Sequence, residues 1–260
     1  MSDSSAHPSV GAGLWTPLKQ DHFRKLVDMH LRVTDAVLKK NDYYSQVYRY
    51  IDATAGPGRY SIDGKSIIGS PLLFLDAAEQ AGRSYDAQFI EQEPEVAAEL
   101  QRNLPHTTLG IATVHLGDYR VEVPALLPFV DLSQLGLLYI DPSTGIPDFA
   151  TIAAAADLRP RMEVLMYLSA TNLKRDHNIS DEALSQHIAK INKDHWLVRK
   201  PARGDGHRWT FLLGSNSDLF KNYKSIEFYR LNSPEAQEFF PILDLTDAQR
   251  HAKLQPRLFE

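Results

Sequence analysis

The sequence predicts an α/β protein built on a mainly parallel central sheet with helices on both faces. Three observations carry that prediction. Short β-branched or aromatic runs alternate with helical stretches, no internal repeat or long linker divides the chain, and four successive strand-like runs end in acid-bearing turns. With 260 residues, 43% of them hydrophobic, the chain can bury one core of ordinary domain size.

Residues 1–13, MSDSSAHPSVGAG, are small and polar and read as a disordered tail, leaving 14–260 as a single domain. From Trp15 to about residue 40, Phe23, Leu26, Val27, Leu31, Val37 and Leu38 form a stripe at helical spacing that His30 and Thr34 complete, predicting one amphipathic helix or two. VYRYIDAT is the first strand, and a Gly-Pro-Gly turn and a polar loop lead from it to Gly69. Ser70 then reads as a helix N-cap with Pro71 at the first helical position, opening PLLFLDAAEQA. Beyond it come DAQFIE as strand, PEVAAELQRNL as helix, TTLGIATVHLGD as strand, LGLLYIDP as buried strand and PDFATIAAAADL as helix. EVLMYLS is a strand, SDEALSQHIAKINKDHW a helix and RWTFLLGSN a late strand.

Composition removes several chemistries. There are no cysteines, so disulfides, thiolate zinc sites and cysteine nucleophiles are excluded, which fits a reducing cytoplasm. A net charge of -5 builds in no global attraction to nucleic acid or anionic membrane, so any polyanion must be held by a local basic patch. The N-terminus lacks a basic-then-apolar signal, and no run approaches the roughly 18 apolar residues of a membrane span, so no membrane association is expected. The nucleophile elbow G-x-S-x-G, the zinc motif H-E-x-x-H and the phosphate loop G-x-x-x-x-G-K-[ST] are all missing. His177, His187 and His195 read as helix-surface residues, and no metal site is expected.

Ligands of open α/β sheets bind beyond the carboxyl ends of the strands, where the strand order reverses. The first strand ends in Asp52-Ala53-Thr54-Ala55-Gly56-Pro57-Gly58. Its glycines allow close backbone approach to a ligand and Asp52 can accept from an amine, although an isolated Gly-Pro-Gly equally suits a plain turn. Glu91, ending FIE, suits a pair of ribose hydroxyls, the role of the acid in dinucleotide sites. Asp118 in HLGDY can accept from an adenine amino group while Tyr119 packs nearby. LLYIDPSTG sets Asp141 and the rigid Pro142 at the mouth of the site.

In this order the residues resemble the class I S-adenosylmethionine-dependent methyltransferase pattern: YIDATAGPGR is similar to its first motif, with Thr54 where a glycine is usual, and FIE, GDY and YIDP stand where the next three belong. More closely, LWTPLK, YIDATAGPG, GSPLLFL, FIE and IDPSTG resemble the three-Cys-motif partner protein family over residues 14–175, with one extra residue before the last glycine. The resemblance implies a Rossmann-like methyltransferase fold and S-adenosylmethionine as cofactor, bound by Asp52, Ala55, Gly56, Gly58, Ser70, Glu91, Asp118 and Tyr119.

Asp141-Pro142, with Ser143, is the expected catalytic element. It resembles the Asp-Pro-Pro-aromatic turn of amino-group methyltransferases, without the second proline and the aromatic; Phe149, Tyr119, Trp196 or Trp209 would have to stack on a base instead. Lys174 and Arg175 in NLKRDHN, with Arg199, Lys200, Arg203 and Arg208 in an expected hairpin, form a basic region over about 174–216 suited to phosphates. Three functions stay open: methylation of a base amino group, adenine N6 first, in DNA or RNA; methylation of a small molecule or protein side chain; and a non-catalytic binding module serving a protein partner.

Overall fold

The structure is a computed structural model that describes residues 16–129, 131–143, 145–175, 183–204, 207–244, 246, 248 and 249. The 1–13 tail, Trp15, Thr144 and His177 lie outside them.

The apolar stripe produces a single helix, α1 (Thr16–Leu38), burying Phe23, Leu26, Val27, His30, Leu31 and Thr34. Val37, expected on the stripe, is instead exposed, while its neighbour Leu38 is buried. The first strand, β1 (Tyr48–Asp52), is buried throughout. The loop expected after it is an antiparallel hairpin, β2 (Arg59–Ile62) and β3 (Lys65–Ile68), turning at Asp63-Gly64, both at positive φ. Its exposed and half-buried residues, alternating in β2 but not in β3, make a two-stranded ribbon read as polar loop in sequence.

Helix α2 (Ser70–Gln80) has Gly69, not Ser70, as its N-cap, and no side chain caps it. The Ser70 hydroxyl is drawn to Asp52 instead. There follow β4 (Tyr85–Glu91), α3 (Pro94–Asn103), β5 (Gly110–Leu116), α4 (Tyr119–Leu126), β6 (Gly136–Ile140), α5 (Phe149–Leu158) and β7 (Met162–Ser169). The later segment holds α6 (Ala170–Arg175), α7 (Leu184–Ala189), β8 (His195–Arg199), β9 (Ala202–Gly204), β10 (His207–Ser215), α8 (Phe220–Tyr223), β11 (Phe228–Arg230) and α9 (Pro234–Leu243). The helix expected through Trp196 ends at Ala189, and His195 and Trp196 belong to β8, whose apolar Leu197 and Val198 pair with β10.

The sheet runs β11-β8-β10-β7-β6-β1-β4-β5, with β9 pairing β10. β5, β4, β1, β6 and β7 are parallel, whereas β10 lies antiparallel between β7 and β8. Order reverses at β1, whose neighbours are β4 and β6, the place at which sheets of this kind offer a ligand crevice beyond the carboxyl ends. The period-two alternation of strands sends Tyr48, Tyr50, Tyr85, Phe89, Tyr139, Tyr167, Trp209 and Phe211 into the core beneath α1 and α2. Ile51, Ile90, Leu138, Ile140, Met166 and Leu212 fill the other face, against α4, α5, α7 and α9.

Candidate functional site

The same alternation sets the acids. Tyr50 and Asp52 share one face, as do Tyr139 and Asp141, so both aspartates stand at the carboxyl ends of adjacent strands on the α1 side; Asp52 pairs in register with Tyr139. Asp52 is fully buried and accepts from the Thr54 amide (3.2 Å), the Tyr50 hydroxyl (3.3 Å) and Ser70. Burial pushes its carboxyl up to about 7, with nearby Asp141 adding to the rise and the three hydrogen bonds opposing it.

Glu91 reaches back across the crevice. Its Oε2 accepts the Gly56 amide and its Oε1 the Glu93 amide, both at 2.9 Å, so the second strand's acid fixes the first strand's turn. Gly56 has φ +65°, and a Cβ there would run into the Tyr60 hydroxyl; Gly58 has φ +76°, and its Cβ would stand 2.9 Å from Leu100 Cδ1. Both positions therefore require glycine. Ala55 is fully buried, its amide spent on Ile90 O at 2.9 Å. Tyr60, from the hairpin, stands over this turn. Burial first, then the charges of Asp141, Asp52 and Glu91, holds its phenol well above the usual tyrosine range.

Asp118 is less free than expected. It N-caps α4 by accepting the Arg120 amide (2.9 Å), and the Arg120 guanidinium grips both its oxygens, which lowers the carboxyl below its usual range. Tyr119 is anchored too, its hydroxyl accepting the Asp148 amide at 2.8 Å.

Asp141 is held from three sides. Its amide donates to Thr54 Oγ1 (2.8 Å), tying the fourth strand's turn to the first. Its Oδ2 accepts from Tyr139 (2.8 Å) and from Lys19 Nζ (2.7 Å) in the first turn of α1. Pro142 is half-buried and Ser143 exposed. Sequence reasoning missed Lys19 and Tyr60. Lys19 does lie inside LWTPLK, and it is the one lysine in a turn whose Thr16 and Gln20 are buried.

The basic region divides. Lys174 is half-buried on α6 and Lys200 exposed after β8, both at the carboxyl end of the sheet; the side chains of Arg175 and Arg203 lie outside the described residues. Arg199 is not a surface cation: only 4% exposed, it donates to Glu227 and, at 2.8 Å, to Lys200 O, because β8 is flanked on both sides by β10 and β11. The four stacking candidates are also placed elsewhere. Trp209 is fully buried, Phe149 is buried and stacks on His187, Tyr119 is anchored as above, and Trp196 packs under Gly214. Trp196 and His195 line a cavity of about 590 Å³ with Arg230, Asn232 and Phe240 at the amino end of β8, away from the acids.

Among the described residues no helix is long and apolar enough to cross a membrane, and no cluster of metal-ligating side chains is present.

No protein-family model matches the chain, and no curated protein matches it in sequence, so the likeness to three-Cys-motif partner proteins rests on the quoted motifs. Among solved structures it is similar to protein LPL1258 from Legionella pneumophila, at 18% identity and TM-score 0.52 over 77% of this chain and 87% of that one. A "probable spermidine synthase" from Corynebacterium glutamicum aligns at 11% identity and TM-score 0.50, covering 87% of this chain and 79% of that one. Human methyltransferase-like protein 13, solved in complex with SAH, aligns at 14% identity and TM-score 0.47, covering 93% and 95%. With its mainly parallel sheet reversing at β1 and its antiparallel β10, the chain has a Rossmann-like α/β fold, shared with LPL1258 and the probable spermidine synthase.

Proposed function

We propose that the chain binds S-adenosylmethionine at the carboxyl ends of β1 and β4 and methylates an exocyclic amine of a nucleic-acid base, adenine N6 first, beside Asp141. The observation that carries this reading is the joint between Glu91 and Gly56: the acid proposed for the ribose is hydrogen-bonded to the glycine turn proposed for the methionine end. The residues fit the cofactor. Asp52 would take the ammonium group, whose positive charge suits a buried carboxylate; Gly56 and Gly58 keep the backbone clear; Glu91 retains lone pairs for two hydroxyls. Asp118 would meet an adenine ring only beside Arg120.

When bound, the cofactor supplies an already activated methyl group, so the protein contributes positioning and electrostatics. Asp141 accepts an N–H of the acceptor and holds its lone pair in line with the methyl carbon. Asp141 would also take the proton that the nitrogen sheds once it carries the methyl group. Lys174 and Lys200 would contact phosphates.

A second reading is favoured by two observations. Arg199 is consumed by Glu227, and of the four aromatics Trp209 and Phe149 are buried, which suits a small-molecule or protein side-chain acceptor better than a polynucleotide. Incubating the protein with methyl-labelled S-adenosylmethionine and separate DNA, RNA, protein and small-metabolite pools decides between them. Label in the nucleic acid supports the first reading, label only in protein or small molecules the second, and no label in any pool refutes both.

A further inference from the structure

The acceptor carboxylate has an unequal pair of oxygens. Oδ2 of Asp141 takes both Lys19 Nζ at 2.7 Å and the Tyr139 hydroxyl at 2.8 Å, while among the described residues no hydrogen bond reaches Oδ1. The lysine is itself confined: its ammonium lies 4.9 Å from the centre of the Tyr167 ring, and the Lys19 and Asp141 side chains are each 12% exposed. One turn further along α1, Phe23 is fully buried with its ring 4.5 Å from that of Tyr139 and 6.4 Å from that of Phe211, so the helix cannot slide without opening the core.

Stability does not account for this arrangement. Withdrawing an ammonium and a carboxylate from water costs as much as their attraction returns, and an apolar side chain on the Tyr167 ring would serve the core at least as well. What the ion pair supplies is direction. With Oδ2 occupied twice, the carboxylate cannot turn about its own axis, and its second oxygen keeps one orientation.

We infer that Lys19 is a positioning residue of the acceptor site, which with Tyr139 commits Oδ2 and leaves Oδ1 as the atom that receives the acceptor's N–H. The inference rests on the reading of Asp141 given above and adds that α1, an element outside the strand-end motifs, sets acceptor geometry.

Lys19→Met and Lys19→Arg, with thermal unfolding to verify folding, test it. In labelled methyl transfer to whichever DNA, RNA, protein or small-metabolite pool the wild type modifies, Lys19→Met should lower kcat by about 10–100-fold, the size of a misplacement of about 1 Å. KM and the calorimetric affinity for S-adenosylmethionine should stay within about threefold, and Lys19→Arg should recover most of the loss. Unchanged kcat overturns the inference. So does a raised KM at constant kcat, which would make Lys19 an acceptor-binding cation, or a loss of cofactor affinity, which would place it in the cofactor site. If the wild type modifies no pool, the methyl-transfer reading fails separately. A crystal structure of Lys19→Met then judges the lysine: Asp141 turned away from Tyr139 supports its positioning role, and Asp141 unmoved refutes it.

Discussion

Replacing Asp52 with Asn should stabilise the fold and disable the site at once. Asp52 is fully buried, and its carboxyl is pushed up to about 7 from an ordinary 3.8. Between those values the folded protein holds a proton that the unfolded chain has released, so Asp52 makes stability fall as pH rises from about 4 to about 7, with no further loss above. The shift is roughly three pH units, and at about 1.36 kcal/mol each the ionised side chain costs roughly 4 kcal/mol, about 3 of it between pH 5 and 8. An amide does not titrate. Urea unfolding of both proteins at pH 5, 6, 7 and 8 should therefore show the advantage of Asp52→Asn growing by about 3 kcal/mol over that range. Binding should move the opposite way. An ammonium group needs the ionised carboxylate, whose fraction rises from roughly one tenth at pH 6 to nine tenths at pH 8, so wild-type affinity for S-adenosylmethionine should rise about tenfold while the variant binds weakly at both. A stability difference flat to within about 0.5 kcal/mol, or a variant that binds as well as wild type, refutes the reasoning.

Glu91→Ala should weaken S-adenosylmethionine binding at least tenfold in calorimetry, from the loss of roughly 1.5–3 kcal/mol of charge-assisted bonds, and should speed hydrogen exchange at Gly56, whose amide loses its acceptor. Normal affinity in Glu91→Ala would remove the ribose assignment. Asp141→Ala should lower kcat on the identified acceptor by roughly two to three orders of magnitude while cofactor affinity holds, and Asp141→Asn should keep part of the rate; an unimpaired Asp141→Ala would discard the amine-aiming role. Arg199→Ala should cost about 1–2 kcal/mol in urea unfolding and leave the salt dependence of substrate binding unchanged, because the half-exposed Glu227 regains water when its partner goes. Lys200→Ala should do the reverse, flattening the salt slope in a filter-binding titration without altering stability.

From Thr16 to Ser169 the strand and helix order was legible in the sequence except for the β2–β3 hairpin and α4, because burial on one or both faces of a sheet leaves a periodicity that a linear reading can detect, whereas the half-exposed ribbon and the short, little-buried α4 leave little of one. The four acid-bearing turns were legible for a related reason: chemistry in a parallel sheet gathers at the carboxyl ends of the strands, and those ends can be located from the chain alone. Hidden from it were contacts between residues distant in sequence. Lys19 and Asp141 are 122 positions apart and meet only because α1 packs along the sheet with its first turn over the ends of β6 and β7. Tyr60 reached the glycine turn through a hairpin whose alternation passed for loop. Arg199 carried the same charge in either setting. Whether a guanidinium faces solvent or a carboxylate depends on which strands flank its own, and β11 closed that edge, with Glu227 just before it, 28 residues further on, taking the charge. Local pattern thus fixed most of the elements up to β7 and the strand ends where a ligand is expected to approach. Tertiary packing decided which charges remain available there, because desolvation and pairing belong to the surroundings of a side chain and not to its type.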